Sequence, residues 1–304
     1  MTFIDKPTSA CSPAGLWTLA RYHLQIAKVP LCLLVAFSAF FGYLMAPSVP
    51  LEPGGFVFFG VLFLAAGSAS LNSVQERLTD LSMGRTRGRP LARGLISRQA
   101  GQQQARLLLA AGFLVLWACF SSLGPLLAGI SAVFLYNFIY TPLKHRSVWA
   151  IIPGAFCGAL PPYIGWLAGG GFYGSTFIIA VMSLFLVWQI PHFWLVVLDN
   201  QQDYCSGDSP SLLKIIPAAS LKFISIVWIL ALVIILHVII LLLVDLSQAG
   251  TAIISFGSLL FLFFYSYQLG LARHTSYRLL FIILNILMFS VMVVLTVCSG
   301  TGNF

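Results

Sequence analysis

Residues 54–80 read GGFVFFGVLFLAAGSASLNSVQERLTD. Residues 54–75 carry no charge, and about 20 such residues in a helix cross the hydrocarbon core of a bilayer. The far end changes character: Asn72, Glu76 and Asp80 recur every four residues, so on a continuing helix they share one face. The stretch therefore reads as a membrane helix that delivers carboxylates to one interface.

Working outward, the whole chain has the same character. Of its 304 residues 59% are apolar and 8% charged, against about 25% charged in a soluble protein, and the mean hydropathy is +0.96. Those figures exclude a soluble domain, intrinsic disorder, a coiled coil and a disulfide scaffold. Nine apolar runs can be marked, at 29–47, 54–75, 105–122, 124–140, 149–168, 172–199, 218–244, 250–270 and 277–298. All should be helices, because open backbone in hydrocarbon leaves its amides unpaired. The expected fold class is all-α: a polytopic bundle of nine transmembrane helices. Its single membrane domain would run over 29–298, between an N-terminal segment 1–28 and a short tail 299–304. The first 27 residues mix charged and polar groups, so insertion by the first span is expected rather than a cleaved leader. Six scattered cysteines, Cys11, Cys32, Cys119, Cys157, Cys205 and Cys298, contain no CxxC pair and read as small hydrophobes.

The formal charge of +8 comes from residues lying between the apolar runs, which makes them topology determinants rather than nucleic-acid contacts. With nine spans and a cytoplasmic N-terminus, all 16 basic residues fall on one side, from Lys6, Arg21 and Lys28 to Arg273 and Arg278. The expected orientation is N-terminus cytoplasmic and C-terminus opposite, most simply in a bacterial cytoplasmic membrane. Of the acids, Glu52 and Asp245 fall outside, and Asp5 and Asp208 lie in solvated cytoplasmic segments. Glu76, Asp80, Asp199 and Asp203 sit at the cytoplasmic ends of two spans, where ionisable groups are expensive and mark function.

A second acidic stretch, Asp199-Asn-Gln-Gln-Asp203, again places two carboxylates four residues apart. Two oxygen-rich sets facing one cavity suit Mg²⁺, which takes a few carboxylates and completes its shell with water and phosphate oxygens. Helix ends leaving a bilayer are polar anyway, and that bland reading balances the functional one for either motif alone. The two together favour a site. Cations stand nearby: Arg85 and Arg89 follow the first motif, and Tyr140-Thr-Pro-Leu-Lys144 ends the fourth span. A guanidinium forks onto phosphate oxygens and a lysine serves as a point charge. A transporter is the rival class, but the acids cluster at one face rather than at the midplane.

The chain resembles the UbiA-type intramembrane prenyltransferases, and within them the heme O synthase branch. The resemblance runs from Lys28-Val-Pro30 to the last span. It is carried by Arg85-Thr86, Arg89-Pro90-Leu91, Tyr140-Thr141, Leu143-Lys144, Pro161-Pro162-Tyr-Ile-Gly165, Trp188-Gln-Ile-Pro191-His192 and Asp203-Tyr204. It implies Asn72, Glu76 and Asp80 as the first Mg²⁺–diphosphate motif and Asp203 as the second; Asp199, which joins the ligand set on its spacing, restores a DxxxD pattern that many heme O synthases lack. Tyr140, Lys144, Arg85 and Arg89 would face the diphosphate, and His192 would handle the porphyrin or its iron. The implied substrates are farnesyl diphosphate and heme B, in the lipid bilayer; an aromatic quinone precursor is the alternative acceptor. Heme A synthase or terminal-oxidase assembly factors are implied as partners. Glu76 replaces the usual aspartate, while Leu78 and Leu81 stand where heme O synthases commonly carry an aspartate and an arginine.

Overall fold

A computed structural model describes residues 15–47, 53–206, 210–272 and 274–298. Asp5, Lys6, Cys11, Glu52, Asp208, Arg273 and the tail 299–304 lie outside the described residues.

The long apolar runs become α2 (Val29–Leu44), α3 (Gly54–Gln75), α4 (Arg98–Ala118), α5 (Gly124–Phe134), α6 (Ile151–Ala168), α7 (Thr176–Asp199), α8 (Ala218–Val238), α9 (Gln248–Gly270) and α10 (Tyr277–Cys298). A further helix, α1 (Leu16–Ile26), precedes them and meets α2 at a 50° bend. The architecture is all-helical, with no strand among the described residues. Among the described residues, seven helices are long and apolar enough to span a membrane, or eight with the α1–α2 pair. The shortfall from nine is α4, expected as a span over 105–122. Its first three turns carry Arg98, four glutamines and Arg106, and it stops at Ala118.

Hydrocarbon is the solvent this surface is built for. On α10, Leu280, Leu284, Met288, Val291 and Leu295 are buried, while Leu279, Ile282, Ile286, Phe289 and Val293 on the other face are exposed. Phe256 and Phe263 of α9 and Leu241 and Leu242 beyond α8 are likewise exposed. Such large apolar surface on every side fits lipid, not water.

Small residues let the backbones close in. A Cβ on Gly165 of α6 would lie 1.8 Å from the Ala39 carbonyl oxygen of α2, and one on Gly42 would lie 1.9 Å from that of Pro162. Where lipid supplies no hydrophobic drive between helices, contacts of this closeness hold them together. Near its end α5 opens into a π-helical turn, Leu135–Tyr140, before a last short turn, Thr141–Leu143. Bonds to α3 hold the wide turn: Gln75 Nε2 donates to the Asn137 carbonyl at 3.0 Å, and the Asn137 side chain donates through Nδ2 to the Ser68 carbonyl at 3.0 Å.

Candidate functional site

The start of α2 and the ends of α3, α5 and α7 meet at one end of the bundle, the parity expected of an up-and-down chain. There α3 stops at Gln75, but the helical bonding hardly breaks: the Glu76 amide donates to Asn72 and the Asp80 amide to Glu76. Asn72, Glu76 and Asp80 therefore keep one face, and all three are buried. Lys28 Nζ donates to Asn72 Oδ1 at 2.9 Å, and Asn72 Nδ2 donates to Thr141 Oγ1 at 3.1 Å. Lys144 is ion-paired with Glu76, and His145 Nε2 lies 3.4 Å from the same carboxylate. Arg89 Nη1 donates to both Asp80 oxygens, at 2.8 and 2.9 Å, and stands 3.7 Å from Glu76. Burial pushes the Glu76 carboxyl upward, but hydrogen bonds from His145 and Lys144 and the lysine's charge outweigh it and hold the group at about 2. It is a carboxylate across the physiological range.

The arginines are aimed by their loop. Leu91 and Ile96 bury themselves against Ile26 and Val74, and Thr86 Oγ1 donates to the Asp80 carbonyl at 3.1 Å. Arg85 and half-buried Arg89 line the cavities, although Arg85 is exposed, as Arg87 and Arg93 are.

The second acidic stretch behaves differently. Asn200 leaves the helix with φ −120° and ψ 40°, and a separate short helix, Gln201–Ser206, follows. That break parts the pair. Asp199 is exposed, and neither it nor Asp203 lines either cavity of the site. Asp203 is half-buried and accepts from the Arg85 amide at 3.1 Å.

Two cavities adjoin here. A polar mouth of about 320 Å³ is lined by Asp80, His145 and Tyr204 among others. A deeper chamber of about 440 Å³ has walls dominated by Leu31, Val35, Leu64, Phe185 and Met288. Glu76, Arg85, Arg89, Tyr140, Lys144 and His192 line both. Gly154 makes room for the Tyr140 ring, and Lys144 Nζ lies 5.4 Å from that ring's centre. His192 stands between Trp188 and Phe281, with ring centres 4.7 and 4.4 Å away. The arrangement can hold a multivalent anion at the mouth and a hydrocarbon behind it.

Among the described residues no three His, Cys, Asp or Glu side chains lie close enough to chelate a metal by themselves. Magnesium does not require such a cage; it takes one or two carboxylates plus waters and substrate phosphates. Buried Glu76 and Asp80 on one wall, with Asp203 across the loop, fit that bridging mode.

Lys28, Tyr136, His145 and Tyr204 also line the cavities, beyond the residues singled out from sequence. Lys28 could have been found. It stands at the N-terminus of α2, where the helix dipole disfavours a cation, so ordinary capping does not explain it.

The UbiA prenyltransferase family pattern matches residues 35–249. The chain belongs to that family. The protoheme IX farnesyltransferase of Nitratidesulfovibrio vulgaris (strain DP4) is 35% identical over 207 residues, covering 68% of this chain and 69% of the relative. That of Geobacter sulfurreducens is 38% identical over 192 residues, covering 63% and 70%. Among solved structures, a UbiA homolog from Archaeoglobus fulgidus bound to GPP and Mg²⁺ superposes with a TM-score of 0.69 at 18% identity, covering 90% of this chain and 97% of the other. A digeranylgeranylglyceryl phosphate synthase does so at 0.73 and 15% identity, covering 92% and 98%. At these identities the two structures establish the shared fold. This UbiA-family chain is accordingly a membrane-embedded prenyltransferase by family.

Proposed function

We propose that the chain transfers a farnesyl group from farnesyl diphosphate to a vinyl group of heme B, forming heme O and releasing diphosphate. One observation carries the reading: the cationic mouth and the apolar chamber share their lining, and His192 stands where they join. A diphosphate held by Arg85, Arg89, Tyr140 and Lys144 directs its isoprenoid tail into the chamber, beside the ring that faces the porphyrin. The names of the relatives point to the same acceptor.

Asn72, Glu76, Asp80 and Asp203 would hold Mg²⁺ against the diphosphate. Bound there, the ion supplies charge neutralisation for the leaving group. The protein's cations do the rest of that work: they accept the charge that builds on diphosphate as it departs with the C–O bonding pair. The vinyl π electrons then bond to farnesyl C1 and leave a cation on the carbon next to the porphyrin ring. Water adds its oxygen to that carbon and loses a proton. Leu78 and Leu81, the departures from the heme O synthase pattern, are both exposed and line neither cavity, so they do not alter the walls.

Mass spectrometry of heme extracted from a host expressing the chain tests the reading. A hydroxyethylfarnesyl heme is expected. Unmodified heme together with a prenylated aromatic acid would overturn it. The orientation, with the mouth on the cytoplasmic side, is tested by a reporter fused after Phe304, expected to score outside.

A further inference from the structure

Among the described residues, two buried polar atoms of α7 have no hydrogen-bond partner, Trp188 Nε1 and His192 Nδ1, and both side chains line the chamber. Their rings are 4.7 Å apart. Between them in sequence, Gln189 lies along the same wall, its amide against Gly158: a Cβ there would come within 2.7 Å of Gln189 Oε1. Glycine at 158 leaves the space the amide occupies. The surrounding wall is mainly hydrocarbon, from Val35, Leu64, Phe185, Met288 and Phe289.

Buried polar atoms are costly unless they are bonded, and natural proteins leave few of them orphaned. An indole N–H only donates, an amide does both, and an imidazole nitrogen takes the role its tautomer allows. The small partner that suits all three is water, which occupies polar pockets that offer it two to four contacts. An isoprenoid chain offers none.

We infer that Trp188, Gln189 and His192 form the site of the water that completes the reaction. This rests on the heme-farnesylation reading. After farnesyl C1 bonds to the vinyl group, a lone pair of this water forms the C–O bond to the cationic carbon. One O–H bond breaks, and its proton passes to His192 Nδ1, then out through the mouth that His192 also lines. Trp188 and Gln189 are positioning residues that hold the oxygen. Without held water the same cation sheds a proton from the adjacent CH₂, giving an alkene one water lighter. The trio therefore sets the choice between hydration and elimination.

The test is the ratio of hydroxylated to dehydrated farnesyl heme made by the wild-type chain, Trp188→Phe and Gln189→Leu. A ratio is read independently of total turnover, and variants on two side chains guard against one failing to fold. Each variant should lower the ratio on the order of tenfold, the rate effect of about one hydrogen bond. Gln189→Glu, which keeps an acceptor, should stay closer to wild type. In H₂¹⁸O the wild-type product should gain two mass units. Unchanged ratios in both Trp188→Phe and Gln189→Leu would overturn the water site alone. No farnesylated heme from the wild-type chain would overturn the functional reading, and the water site with it.

Discussion

Two pairs of carboxylates share the same spacing in this chain and meet different fates. Glu76 and Asp80 follow a helix whose hydrogen bonding runs through the junction, so they stay on one face, buried and held by Lys144 and Arg89. Asp199 and Asp203 straddle Asn200, whose dihedrals end the helix, and only Asp203 reaches the arginine loop, at the Arg85 amide. Spacing alone is therefore a weak statement about shared chemistry. What decides is whether the backbone between the two residues remains helical, and whether a cation waits for each carboxylate.

That contrast can be broken or sharpened by experiment. Chelating divalent ions should bring diphosphate release by the purified chain to background, with recovery on adding Mg²⁺. Turnover that survives chelation would remove the reason for either pair. Asp80→Ala should cost on the order of 10²–10³ in rate, the usual effect of deleting one transition-state electrostatic contact. It also takes from Arg89 its two shorter carboxylate bonds, and near-normal release would break the buried half of the comparison. Asp203→Ala should cost less, on the order of tenfold, because the side chain is half-buried and its described bond is to one backbone amide. Steady-state diphosphate release ranks it against Asp80→Ala. Asp199→Asn should change the rate by about twofold or less, as an exposed substitution. A loss equal to that of Asp203→Ala would show that the two act as a pair after all.

Much of the bundle is legible in advance because hydrocarbon permits few backbone solutions. The run at 54–75 coincides with α3 and the run at 277–298 with α10. The run at 105–122 finds its helix but not its limits, since apolar content after Arg106 hides the polar first turns that carry α4 back to Arg98. In the site, Glu76, Asp80, Arg89, Tyr140, Lys144 and His192 are chemically conspicuous and do converge. Asp199 is equally conspicuous and does not, because a dihedral at Asn200 leaves no trace in composition. Lys28 was hidden in plain view, one basic residue among sixteen whose topological role explained it well enough.

The wide turn at Leu135–Tyr140 has a consequence for how the chain tolerates change in length. A π-helical turn amounts to one residue more than an α-helix needs there. Deleting one residue within it should let α5 close into regular helix with Tyr140 and Lys144 still turned toward Glu76, because the extra residue is what the wide turn takes up. Closing the turn without a deletion would instead swing everything beyond it by about 100° around the axis and point both side chains away. Loss of a single codon here should therefore leave a chain that inserts normally and still turns over.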